Sequence, residues 1–262
     1  MYPEDAVPAV FVSHGSPMAA MQRGPYQGAL VKLGQRLKSS AVIAISAHWS
    51  SSATVFVSAA KEHHAIYDFG GFPHQLYDLT YSPAGDPALA KRIVNALRAS
   101  GCKARLIDEG GLDHGVWMPL RLMYPEATVP VVPLSVPLRF TPKQLFELGL
   151  ALAPYRGERC LILGSGGLVH NLTLFGGPKD QPIEWWAIEF DKWFAEKVAK
   201  HDLASLLEYK TLGPHANRAV PTFEHLAPVF IVLGAGCGYI RVETIARGFE
   251  YGSISMRSFA LA

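Results

Sequence analysis

The sequence predicts an α/β fold: a mostly parallel central sheet with helices on both faces, three layers in all. Three observations carry that expectation. Short apolar runs rich in β-branched residues recur along the chain, and amphipathic helical patterns separate several of them. The runs are also near-continuously apolar rather than alternating, as strands buried on both faces are.

In chain order, strands are expected at PAVFVS (8–13), AVIAISA (41–47), ATVFVSA (53–59), KARLI (103–107), VPVVPL (129–134) and RCLILG (159–164). A helix over 26–37 places Ala29, Leu30, Leu33 and Leu37 on one face. The next, over 86–101, opens with Asp86 as N-cap and Pro87 at the first helical position, and closes at Gly101. A third, over 141–155, has Thr141 as N-cap followed by Pro142. The segment 183–201 reads as a long amphipathic helix whose Trp186, Phe190, Trp193 and Phe194 pack into the core. Pro221 and Thr222 look like a helix start, which would put Glu224 and His225 in its first turn. Residues 61–83 form a long stretch without periodicity, and loops of that length usually bind something. With no internal repeat, low-complexity tract or linker, one domain spanning residues 1–262 is the simplest organisation.

The formal net charge is +2 with no basic run, which argues against nucleic acid and anionic membrane as partners. No apolar stretch approaches the roughly 20 residues of a membrane span. The opening MYPEDAVPAV has neither the basic nor the apolar region of a secretory signal. Cys102, Cys160 and Cys237 are far apart and form no CxxC, which suits buried thiols in a reducing cytoplasm.

Ten histidines are present. His63, His64 and His201 have polar neighbours and are expected in solvent. Three others, His14, His48 and His170, each follow an apolar run where it gives way to a loop, the last after Gly164–Ser165–Gly166–Gly167. In open α/β sheets ligands bind beyond the carboxyl ends of the strands. A neutral imidazole held at such an end is a good metal ligand, so His14 and His48 are read as a metal pair. His225 is an equal choice between structural and functional roles, and His215 is a weaker candidate, for a contact with substrate or with a residue behind the site. His114 follows Asp113, with Trp117, Met118 and Leu120 expected to pack. The Gly-rich turn before His170 is neither GxSxG nor a P-loop, and GAGCG near residue 236 is no dinucleotide fingerprint. Histidines without cysteine, with carboxylates nearby, suit zinc or non-haem iron alike.

The stretches SHGSP, ISAHW, YDFGGFP, LDHGVWMPL, GSGGLVHNL, PTFEHLAPV and SISMRSF, spread from residue 13 to 259, together resemble the class III extradiol ring-cleaving dioxygenases, in particular their 4,5-DOPA dioxygenase branch. The resemblance implies O₂ insertion into a catechol ring beside the hydroxyls, at a mononuclear centre expected to need Fe(II), with zinc as an occupant of purified protein. It implies His14 and His48 as metal ligands and His225 as a further one, with Glu224 the alternative. His170 matches an acid/base histidine that in this branch can also be a fourth ligand. His114 matches a histidine near the substrate oxygens. Tyr67, Phe69, Phe72 and Trp117 would line an aromatic pocket. Two other readings share the same histidines: a zinc hydrolase, and a metal- or catechol-binding module without turnover. The physiological catechol, the bond cleaved and the oligomeric state are not written in the sequence.

Overall fold

The computed structural model describes residues 6–174 and 177–262. Among the described residues the strands are β1 (Ala9–Ser13), β2 (Ala41–Ser51), β3 (Val55–Ser58), β4 (Ala104–Ile107), β5 (Val131–Pro137), β6 (Cys160–Gly166), β7 (Val242–Ala246), β8 (Phe249–Glu250), β9 (Ile254–Ser255) and β10 (Ser258–Leu261). The principal helices are α1 (Pro25–Arg36), α2 (Pro87–Ala99), α3 (His114–Met123), α4 (Pro142–Leu152) and α5 (Trp185–Ala199). Three short ones, α6 (Leu203–Leu207), α7 (Tyr209–Leu212) and α8 (Ala216–Ala219), precede the buried α9 (Ala227–Ala235).

Eight strands form one sheet in the order β4-β3-β5-β2-β6-β1-β10-β7. Its centre, β5-β2-β6-β1, is parallel. Both flanks reverse: β3 runs antiparallel to β5, and β10 antiparallel to β1. A parallel neighbour needs a crossover of about a dozen residues or more, and residues 52–54 are too few to return β3 in the central direction. Two apolar cores cover the two faces. One packs α2, α4, α5 and α9 against the sheet, and the other packs α1 and α3. This is the expected three-layer arrangement.

All six expected strands form, and the four expected helices form within a few residues of their predicted ends. Asp86 caps α2 by accepting from the Leu89 N–H, and Thr141 and Gln144 make a reciprocal capping box on α4. Four readings need correction. His48 does not end a strand, because β2 continues to Ser51 across an irregularity between Ile45 and Ser50 in its pairing with β5. No helix starts at Pro221: the Thr222 hydroxyl bonds the Glu224 carboxylate rather than a backbone N–H, and α9 begins only at Ala227, with Pro228 in its first turn. His63 is buried, not solvated, its Nε2 held 2.9 Å from the Val131 carbonyl where the long loop folds back on β5. Cys160 is buried and Cys102 half-buried, but Cys237 is exposed, lying in the turn after α9 rather than in it. Among the described residues no helix is long and apolar enough to cross a membrane.

Candidate metal centre and active site

The four central strands end on one edge of the sheet, and the site is built there. His14 follows β1 directly. His48 is carried by the irregular part of β2, where the strand leaves its regular pairing with β5. His170 follows β6 after a short turn, and His225 sits in the turn before α9. His114 is the first residue of α3. These five imidazoles converge: ring centroids of His14 and His48 are 4.9 Å apart, His48 and His114 4.1 Å, His48 and His225 5.0 Å, and His170 and His225 3.4 Å. Nitrogens of His14, His48 and His114 lie within 4.8 Å of one another, as do ligand atoms of His170, Glu224 and His225.

Two glycines allow the close approach. A Cβ on Gly115 would meet Ser46 Oγ at 2.5 Å and His14 Nδ1 at 3.1 Å, so only glycine lets the first turn of α3 press against β1 and β2 here. A Cβ on Gly166 would stand 2.1 Å from the His225 carbonyl oxygen. The neighbouring Gly167 N–H donates to that same carbonyl, at 2.9 Å, and ties the His225 turn to the end of β6.

Hydrogen bonds aim the rings. Ser165 Oγ donates to the Gly115 carbonyl at 2.5 Å, which commits its only proton. It therefore accepts from His14 Nδ1, 2.9 Å away. His14 thus carries its proton on Nδ1 and turns a bare Nε2 toward His48 Nε2, 3.1 Å distant. His225 Nδ1 lies 3.2 Å from Glu224 Oε1, while its Nε2 is sealed from water with no hydrogen-bond partner. His114 Nδ1 lies 3.0 Å from both oxygens of Asp68, and Asp68 Oδ2 is 3.3 Å from His48 Nδ1. The His170 ring stacks flat on His225, at 6° between planes, and among the described residues no side-chain hydrogen bond orients it. Asp113 does not orient a histidine; its Oδ1 accepts from Ser46 at 2.6 Å.

The electrostatics disfavour charge on His14, His48 and His170. Burial, then repulsion from the neighbouring imidazoles, holds His14 well below the ordinary histidine range. Burial with the charges of His114 and His225 pushes His48 down to about 3, against the pull of Asp68 and Glu224. Burial, with His225, pushes His170 down to about 3 as well. The hydrogen bond with His225 holds Glu224 at about 2, burial opposing it. Burial pushes Asp68 upward, but its hydrogen bond with His114 and the charges of His114 and His48 outweigh it and leave Asp68 below the usual carboxylate range. Burial raises Asp113 to about 6.

This donor set fits a divalent cation. An unpartnered, water-sealed His225 Nε2 is costly unless something binds it. Two imidazole nitrogens bound to one ion at about 2.0–2.1 Å lie about 3.0–3.4 Å apart, and the His14 and His48 nitrogens are at 3.1 Å.

Of the expected substrate contacts, Tyr67 and Phe72 belong to an aromatic cluster on the long loop with Phe69, Tyr77 and the buried Trp117. Phe69 is the member that reaches the site, edge-on to His114 at 5.6 Å. His215 is not brought into the cluster: its Nε2 pairs with Glu189 at 2.9 Å and its ring lies edge-on to Trp185. Sequence reasoning missed Asp68, Ser165 and Ser46. The one available signal was Asp68, a carboxylate within the aromatic YDFGGFP stretch.

Residues 8–261 match the family described as "Catalytic LigB subunit of aromatic ring-opening dioxygenase". The chain is 37% identical to a 4,5-DOPA dioxygenase extradiol of Beta vulgaris, over 95% of this chain and 94% of that one. It is 37% identical to a protein of the same name from Escherichia coli K12, over 96% and 93%. It is 24% identical to a 3,4-dihydroxyphenylacetate 2,3-dioxygenase of Escherichia coli, over 74% and 73%. A crystal structure of an uncharacterized Escherichia coli K12 protein superposes with a TM-score of 0.81 at 32% identity, covering 98% of this chain and all of that one. With a family match from the first strand to the last, and a convergent histidine cluster at the carboxyl edge of the sheet, the chain belongs to the LigB family of aromatic ring-opening dioxygenases.

Proposed function

We propose that the protein opens a catechol ring with O₂, beside the two hydroxyls, at a mononuclear non-haem Fe(II) centre held by His14, His48 and His225. The observation that carries this reading is the convergence of His14 Nε2 and His48 Nε2, 3.1 Å apart, beside a His225 Nε2 that has no partner of its own. The names of the relatives, which specify DOPA and 3,4-dihydroxyphenylacetate, support a catechol as the substrate class. When bound, the iron would supply Lewis acidity toward a catechol hydroxyl and open positions where catechol and O₂ meet.

The chain's own residues do the rest. Glu224 binds His225 through Nδ1, so it serves the centre as a partner of that histidine rather than as a ligand. His170 takes the proton of the second catechol hydroxyl. Burial holds it uncharged, and among the described residues no side-chain hydrogen bond ties up either ring nitrogen. A catecholate beside it favours its protonated form and raises its basicity where the proton must go. His114, fixed through Nδ1 by Asp68, offers its other nitrogen to the bound oxygens. Phe69, edge-on to His114, contributes an apolar wall for the ring. Residues 1–262 act as one catalytic domain, a reading supported by the pairing of β1 with β10 from opposite ends of the chain. The three free thiols support a reducing cytoplasm as its compartment.

The test is O₂ uptake with DOPA, protocatechuate and caffeate on protein loaded anaerobically with Fe(II) or with Zn(II). Uptake with iron and at least one catechol is expected, with none for zinc. Equal turnover with zinc, or catechol binding with no uptake under either metal, would overturn the proposal.

A further inference from the structure

Ser46 and Ser165 occupy matching places on two central strands. They are register partners in the parallel pairing of β2 with β6. Strand alternation turns both toward the core that holds α3, two residues after Ala44 and Leu163. Both are buried, and a buried hydroxyl is costly unless it is bonded. Each commits its one proton to the start of α3. Ser165 Oγ donates to the Gly115 carbonyl at 2.5 Å, and Ser46 Oγ donates to Asp113 Oδ1 at 2.6 Å. Each then accepts from a histidine of the cluster: Ser165 from His14 Nδ1 at 2.9 Å, Ser46 from the backbone N–H of His48 at 3.2 Å. The Ser46 bond falls where β2 leaves its ladders. The last partner of β2 on β6 faces Ser46. Against β5, the register of β2 advances from Ile45 to Ser50 while β5 advances only from Leu134 to Val136. The stretch that carries His48 therefore bulges, and a hydroxyl bonding the backbone two residues on replaces ladder bonds there. Glycine at 115 makes room for this: a Cβ would stand 2.5 Å from Ser46 Oγ and 2.9 Å from Asp113 Oδ1.

We infer that Ser46 is a positioning residue: it fastens the bulge of β2 that presents His48 to the start of α3, as Ser165 fastens the His14 ring. Asp113 thus acts on His48 through Ser46, by way of the backbone, and not on an imidazole ring. Together the two serines tie His14 and His48 to one helical turn, the turn that begins with His114. The status of His48 as a metal ligand rests on the proposed function; the hydrogen bonds do not.

The experiment uses metal-free full-length protein, read by calorimetric titration with Zn²⁺ and by hydrogen exchange of the His48 amide. Ser46→Ala removes both bonds. Its Zn²⁺ affinity is expected to fall about 10- to 100-fold, the usual range for a lost outer partner of a ligand. Its His48 amide should exchange about 2- to 13-fold faster, the effect of one lost hydrogen bond. Asp113→Asn keeps an oxygen that accepts the Ser46 proton, so it should retain wild-type affinity and exchange. Ser58→Ala controls for general destabilisation. Ser58, on β3 and outside the cluster, makes the same pair of bonds, donating to the Glu109 carbonyl at 2.6 Å and accepting from the Ala60 N–H at 3.3 Å. That variant should lower the melting temperature and leave Zn²⁺ affinity unchanged. A folded Ser46→Ala protein with wild-type Zn²⁺ affinity would overturn the inference. So would an Asp113→Asn protein as weak as Ser46→Ala, which would place the effect in the charge, or a Ser58→Ala protein as weak, which would place it in stability. If Ser46→Ala does not fold, the wild type decides: a protected His48 amide supports the bond, and one that exchanges as an unbonded amide does overturns it. A wild type that binds no Zn²⁺ or takes up no O₂ would count against the proposed function and leave the exchange test standing.

Discussion

Replacing His170 with glutamine separates proton transfer from metal binding. The His170 ring lies flat on His225 at 3.4 Å between centroids and receives no side-chain hydrogen bond among the described residues. Its removal therefore deletes a ring stack, worth about 0.5–1.5 kcal/mol. The melting temperature should fall by only a few degrees for a chain of this size. The nitrogens of His14, His48 and His225 are untouched, so iron content should stay stoichiometric. The chemistry should change far more. A lost general base costs about 10²- to 10⁴-fold, equivalent to about 2.7–5.4 kcal/mol of barrier. The assay loads the variant anaerobically with Fe(II), measures iron per chain, then follows ring opening in a single turnover after mixing with catechol and O₂. Full iron with slow ring opening is expected. An iron-free variant would show that His170 is a fourth ligand and refute the assignment. A variant that holds iron and turns over at the wild-type rate would refute the base.

Other outcomes follow from the same geometry. His48→Ala or His14→Ala should abolish metal retention while the circular dichroism spectrum is kept; stoichiometric iron in both would remove them from the centre. Gly166→Ala drives a Cβ to 2.1 Å from the His225 carbonyl; at about 1–3 kcal/mol for such overpacking, both the melting temperature and Zn²⁺ affinity should fall, and wild-type values for both would contradict the role given to this contact. Acid should destabilise the metal-free protein from about pH 6.5 down to about 3. His14, His48 and His170 are held below the unfolded value of about 6.5, so the unfolded chain binds more protons across that window. Each imidazole contributes a slope of at most about 1.4 kcal/mol per pH unit, lost as pH falls. Asp113, raised to about 6, acts in the opposite sense but is one group against three. Chemical denaturation at several pH values checks the sign, and flat stability between pH 6.5 and 4 would contradict it.

The parts of the fold legible in the sequence were those with strong local patterns. β1, β5, β6 and residues 41–47 of β2 are buried and read as largely apolar runs. Asp86 and Thr141 announced α2 and α4 through cap chemistry. β7 to β10 were missed because they are short, and β7 is only half-buried, so no run or alternation marks them. His14 was legible because the strand before it is. His48 was found for a partly wrong reason: the histidine belongs to the site, yet the irregularity that presents it lies in the pairing of β2 with β5, which local sequence does not encode. Asp68 and Ser165 escaped because their partners are remote in sequence, 46 residues for His114 and 151 for His14. His63 was misread because its polar neighbours hide a ring buried against β5.

The most direct test of the central claim is the fate of labelled oxygen. Protein loaded anaerobically with Fe(II) is mixed with a catechol it consumes and with ¹⁸O₂, and the ring-opened product is analysed by mass spectrometry under single-turnover conditions. The account predicts one O₂ consumed per ring opened and both ¹⁸O atoms in the initial product, with no turnover when zinc replaces iron. A product labelled only from water, or one formed equally well without O₂, would contradict it.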